Sequence, residues 1–161
     1  MKKTIKIESF LEVYDTINEL PETIQSLMET AVEARDRAYA PYSQFAVGAA
    51  IQLNNGTIVS GNNQENASYP SGLCAERTAI YYAAAQYPNE PFISMTIAAK
   101  SSTKELTQPI PPCGACRQAI AEYEMKQELP IALFFMGERG PIFKSASLEN
   151  ILPLLFTNKY L

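Results

Sequence analysis

A chain of 161 residues, 47% hydrophobic and 19% charged, suits one globular domain that buries a core without disulfides. The formal net charge of −4, with 13 basic residues scattered among 17 acidic ones, argues against a nucleic-acid partner, whose phosphates are held by clustered lysine and arginine. No apolar stretch reaches the ~18 residues of a membrane span, and Glu8 follows Met1-Lys2-Lys3 before any long apolar run, so neither a membrane partner nor a secretory signal is expected.

In chain order, residues 1–20 read as an N-terminal extension, with a brief strand-like alternation over 4–8 and apolar Phe10, Leu11 and Val13. A single folded domain is expected over 21–161. Pro21 suits the start of a helix, and Ile24, Leu27, Met28, Ala31, Ala34 and Ala38 recur at steps of three or four, giving one apolar face that Pro41 would end. Residues 45–53 and 57–60 form a predicted hairpin across Asn54-Asn55-Gly56. A polar loop over 61–72 leads into a helix that starts at Cys74, and a buried-type strand follows over 91–99. A proline-containing loop over 101–112 then runs into a second helix, from Cys113 through Tyr123. Two more strands are predicted over 130–136 and 141–145, before an apolar tail interrupted by Pro153. This order predicts an α/β fold, a three-layer α-β-α sandwich around a mixed five-stranded sheet.

All three cysteines lie in two short motifs, Cys74-Ala75-Glu76 and Pro112-Cys113-Gly114-Ala115-Cys116, and the chain has no histidine. An odd number of cysteines without a secretory signal argues for a reducing, cytoplasmic setting. Both motifs sit where an irregular loop enters a helix, and free N–H groups there favour thiolate over thiol. Two intervening residues let Cys113 and Cys116 grip one ion from a single turn, with Cys74 supplied by the other helix. Three thiolates leave open the position that a catalytic zinc keeps for water, whereas structural sites close all four. Glu76, beside this set, is the candidate general acid/base. The pair alone also fits a redox couple or buried apolar cysteines, and Glu76 alone fits a favourable acid in a helix's first turn.

With these motifs the chain resembles the zinc-dependent cytidine deaminases, whose signature is His or Cys, any residue, Glu, then Pro-Cys-x-x-Cys. The likeness runs over about residues 39–156, and cysteine at position 74 places it with the small, all-cysteine, typically homotetrameric branch. The resemblance implies one Zn2+ per subunit on Cys74, Cys113 and Cys116. It also implies hydrolytic deamination of cytidine and deoxycytidine at C4 for pyrimidine salvage, with Glu76 moving protons from water to N3 and to the departing ammonia. Arg77, directly after the acid, would draw charge from ligand sulfurs, because three thiolates over-neutralise zinc and make its water less acidic.

The same resemblance supplies substrate contacts. Asn63 and Glu65, in Asn62-Asn63-Gln64-Glu65-Asn66, match residues that bond the ribose, chiefly its 3′-hydroxyl; a carboxylate there would repel a phosphate and so favour a nucleoside. Phe45 matches the aromatic against the pyrimidine, Ala75 the backbone N–H that meets the ring carbonyl, and Phe156 the tail residue that closes a neighbouring subunit's site. By composition alone, Asn63 and Glu65 read as turn residues and Phe45 as a core residue. Two departures stand out. Pro111 replaces the usual Ser or Thr whose carbonyl accepts from the amine being removed, and the loop over 101–110 is a few residues longer than in compact members. Competing readings are a deaminase of another aminopyrimidine, of the blasticidin type, a non-catalytic zinc-binding module and a redox protein.

Overall fold

Side-chain alternation assigns each strand residue to one face of a central sheet, and helices cover both faces. In a computed structural model that describes all 161 residues, six strands and four helices follow in the order β1 (Glu12–Tyr14), α1 (Glu22–Arg35), β2 (Phe45–Leu53), β3 (Ile58–Asn62), α2 (Ala75–Gln86), β4 (Phe92–Ser101), α3 (Gly114–Gln127), β5 (Ala132–Met136), β6 (Ile142–Ser145) and α4 (Leu148–Ile151). The strands lie in one sheet ordered β1-β6-β5-β4-β2-β3. Only β4 and β5 run parallel; every other pair is antiparallel. A parallel neighbour requires a crossover, which α3 provides.

The period of two decides the layers. Ala49, Ile51 and Leu53 of β2, Met95 and Ile97 of β4, and Leu133 and Phe135 of β5 pack with Ala79, Ile80 and Ala83 of α2 and Ile120 of α3. On the opposite face, Ala50, Ala98, Phe134 and Ile142 pack with Leu20 and with Ile24, Leu27, Met28 and Ala31 of α1. Thr96, wholly buried on that second face, donates its hydroxyl to the Leu27 carbonyl at 2.9 Å. The helices approach closely because two strand positions lack a side chain. A Cβ on Gly48 would collide with the Ala31 carbonyl and the Arg35 N, and one on Gly61 would lie 2.6 Å from the Ala79 N.

The architecture is the predicted sandwich, but with six strands in place of five. The added strand is Glu12–Tyr14, not residues 4–8, and it pairs with β6 through Glu12↔Lys144, Val13↔Phe143 and Tyr14↔Ile142. Lys144 fastens this edge by donating to Glu12 at 2.8 Å. The first helix also ends at Arg35, short of Pro41. Beyond it Arg37 N and Ala38 N bond back only three residues, to the Ala34 and Arg35 carbonyls, so the chain tightens into a turn.

Candidate active site

The N-termini of α2 and α3 meet on one face of the sheet. Cys74 precedes the first residue of α2 and Cys113 the first residue of α3, both with extended backbone, while Cys116 lies one turn into α3. The three Sγ atoms all lie within 4.8 Å of one another, with Cys74 half-buried, Cys113 exposed and Cys116 buried. The two motifs of the sequence therefore converge, although Cys113 and Cys116 lie 39 and 42 positions beyond Cys74 along the chain.

The electrostatics of this cluster suit a cation. The Cys74 thiol is pushed down to about 5, chiefly by a hydrogen bond from Cys116 and then by Arg77, against burial that acts the other way. The Cys116 thiol is pushed up, because it gives its proton to Cys74, is buried, and faces the Glu76 charge. A divalent ion bound by such sulfurs displaces their protons. Three converging sulfurs also match the soft, tetrahedral preference of zinc, with one position left over. The residues fit the ion.

Glu76 occupies the first turn of α2 and is 4% exposed, a rare state for a carboxylate. Burial raises its pKa first of all, and the Cys74 charge adds to that. Its side chain lies against Cys116, so the acid adjoins the sulfur cluster. Arg77 donates from Nη2 to Cys74 Sγ at 3.7 Å. Ala75 opens α2, so its N–H has no partner within the helix, and its side chain is fully buried.

Beside Cys74 and Arg77 opens a cleft of about 440 Å³ whose far wall carries Asn63 and Glu65, with Tyr42, Ser43, Tyr69 and Leu73 around them. The Asn63 amide bridges backbone on β2, accepting from Val47 N at 2.8 Å and donating to the Phe45 carbonyl at 2.9 Å. Each end keeps one further hydrogen-bonding site. Glu65 accepts from Tyr42 N at 2.8 Å, from Ser43 N at 3.2 Å and from the Ser43 hydroxyl. These bonds, the Ser43 hydroxyl foremost, hold its carboxyl below the usual carboxylate range. Phe45 begins β2, half-buried and tied to this wall through its carbonyl, but its ring is not among the groups that line the cleft.

Phe156 stands apart. Its ring is 58% exposed and stacks on Tyr160 at 5.9 Å, and it does not line the cleft of its own chain. Tyr42 and Tyr69, whose rings lie 6.1 Å apart, are cleft residues that the sequence reading did not single out. Their only signal is positional: Tyr42 lies three positions before Phe45, and Tyr69 four positions after Glu65.

Comparison with known proteins agrees with this geometry. A family model described as "Cytidine and deoxycytidylate deaminase zinc-binding region" matches residues 21–130. A protein named cytidine deaminase from Halalkalibacterium halodurans is 46% identical over 98 residues, covering 61% of this chain and 70% of that one. Another of the same name, from Sporosarcina psychrophila, is 36% identical over 136 residues, covering 84% of this chain and 93% of that one. The crystal structure of cytidine deaminase from Burkholderia pseudomallei superposes with a TM-score of 0.71 at 38% identity, covering 81% of this chain and 97% of that one. With the matched segment spanning both cysteine motifs, the chain belongs to the zinc-binding cytidine and deoxycytidylate deaminase family, as a hydrolytic deaminase whose cofactor is Zn2+.

Proposed function

We propose that this chain hydrolyses the exocyclic amine of cytidine and deoxycytidine, releasing ammonia and leaving uridine or deoxyuridine. The observation that carries the reading is the burial of Glu76 against a three-sulfur cluster, beside a cleft walled by Asn63 and Glu65. Cys74, Cys113 and Cys116 would hold zinc, which supplies the Lewis acidity that makes water nucleophilic at neutral pH. Glu76 takes a proton from the attacking water and delivers it to N3 of the ring. It then takes the proton of the hydroxyl newly attached to C4 and passes it to the amine, which leaves as ammonia. Its surroundings favour this traffic: burial raises its proton affinity, so it accepts each proton readily before handing it on.

The remaining residues orient the substrate. The free N–H of Ala75 meets the ring carbonyl, and Phe45 lies along the pyrimidine. Asn63 and Glu65 take the ribose, chiefly its 3′-hydroxyl, using the lone pairs and N–H left over from their backbone bonds. A carboxylate on that wall disfavours a phosphorylated substrate by like-charge repulsion. We assign residues 21–161 to the catalytic unit, with 1–20 appended to it, and propose a homotetramer in which Phe156 closes a neighbour's site; its exposure supports this. Three cysteines without a disulfide support a cytoplasmic setting. No helix is long and apolar enough to cross a membrane.

The test is purified protein with its metal content measured, followed by loss of cytidine absorbance and release of ammonia. One zinc per chain with turnover of both nucleosides is expected. Stoichiometric zinc without deamination of either would sink the reading.

A further inference from the structure

The three sulfurs of the metal cluster are not held equally. Cys116 is buried inside α3, and Cys74 is bonded by Arg77. Cys113 is exposed, and it ends a loop with little to hold it. Residues 107–112 include Pro109, Pro111 and Pro112, which have no N–H to donate. The whole stretch makes one hydrogen bond: Arg117 Nε donates to the Pro112 carbonyl at 2.8 Å. The same guanidinium donates from Nη1 to the Ile151 carbonyl at 2.7 Å, at the end of α4 where helix carbonyls lack intrahelical partners. Next to it, Gln118 Nε2 donates to the Phe156 carbonyl at 3.0 Å.

We propose that Arg117 is a positioning residue that fixes Cys113 as a metal ligand by clamping the Pro112 carbonyl to the C-terminal end of α4. A rigid fork with several N–H groups can hold two carbonyls at a set separation, which a single-point donor cannot. The clamp makes the ligand loop and the C-terminal tail one mechanical unit. It also holds the peptide that follows Pro111, whose own carbonyl stays free of any protein donor. The inference rests on the zinc reading above, since it concerns how that ion is retained.

The competing role is plain structural glue between α3 and α4, and Glu124 separates the two. Its carboxylate accepts from Leu148 N at 3.0 Å and from Ile131 N at 2.7 Å, tying the other end of α4 without touching the ligand loop. Zinc-loaded wild type, Arg117→Gln, Arg117→Lys and Glu124→Gln are mixed with excess 4-(2-pyridylazo)resorcinol under native conditions, and the rate of zinc release is followed. Arg117→Gln releases zinc about tenfold or more faster, Arg117→Lys falls between it and wild type, and Glu124→Gln keeps the wild-type rate despite a lower melting temperature. Release from Arg117→Gln at the wild-type rate overturns the proposal, as does equal acceleration in Glu124→Gln. If Arg117→Gln does not fold, Arg117→Lys decides: faster release supports the clamp and an unchanged rate overturns it. Wild type that purifies without binding zinc overturns the metal reading itself, a result distinct from any of these.

Discussion

Arg77 Nη2 lies 3.7 Å from Cys74 Sγ, while its buried Nε has no hydrogen-bond partner. A guanidinium aimed at a ligand sulfur takes negative charge from that sulfur, and this matters most where three thiolates surround one divalent ion. Arg77→Ala is therefore expected to retain zinc and to lower turnover by about tenfold or more. Metal analysis beside steady-state kinetics checks it; normal turnover at full occupancy would remove the role.

Glu76→Gln keeps the shape of a buried side chain and removes its ability to shuttle protons. The variant should fold, hold zinc at wild-type stoichiometry, and lose ~10²–10⁴-fold in kcat. The readouts are metal content, thermal stability and the rate of ammonia release. A variant with full zinc and undiminished kcat would contradict the assignment of the acid/base.

Glu65 carries a pH dependence whose sign follows from its bonds. Its carboxyl is held below the usual range by the Ser43 hydroxyl and by the Tyr42 and Ser43 N–H groups, all of which favour the charged form. A group depressed on folding contributes stability above its unfolded value, near ~4.3 for glutamate, and that stability is lost as pH falls through the lower folded value. Glu65→Gln turns an amide donor toward those same donors. Wild type should thus be more stable than Glu65→Gln near neutral pH, and the gap should shrink as pH drops below ~4. Urea denaturation across that range measures it. In the same variant, KM for cytidine should rise more than kcat falls, since the loss is in ribose binding.

Much of this molecule was legible because its signals are local. Apolar steps of three and four located α1, a turn triplet located the β2–β3 hairpin, and two short cysteine motifs located the helix starts that carry the sulfurs. What escaped depends on distant partners. The Glu12–Tyr14 strand is three residues long, too short for alternation to declare it. It forms because β6 offers an edge and Lys144 meets Glu12 from 132 positions away. The apolar step to Ala38 continued past the true end of α1, since spacing cannot see a turn tighten at Ala34 and Arg35. The link from Arg117 to the Ile151 carbonyl, 34 positions on, depends likewise on where α4 packs.

The closeness of α1 to β2 yields a prediction for the fold alone. A methyl group at position 48 would run into the Ala31 carbonyl and the Arg35 N, both backbone atoms of a helix that cannot yield locally. Gly48→Ala is expected to destabilise the protein by ~1–3 kcal/mol, the usual range for overpacking. A thermal or denaturant melt checks it, and a variant as stable as wild type would mean that α1 shifts at little cost.

Phe156 separates what one chain does from what an assembly does. Within its own chain the ring is 58% exposed and touches Tyr160, and the cleft is built without it. Removing the ring should then cost the isolated fold little, because little apolar surface is withdrawn from water there. If the ring closes a neighbour's site, as proposed, Phe156→Ala should bind zinc normally yet lose about tenfold in kcat/KM, with KM carrying most of the loss. Light scattering should give wild type about four times the 17.8 kDa mass of one chain, with the variant shifted toward smaller species. A wild-type monomer with full activity would overturn the shared site, because the exposed ring would then have no second chain to act on.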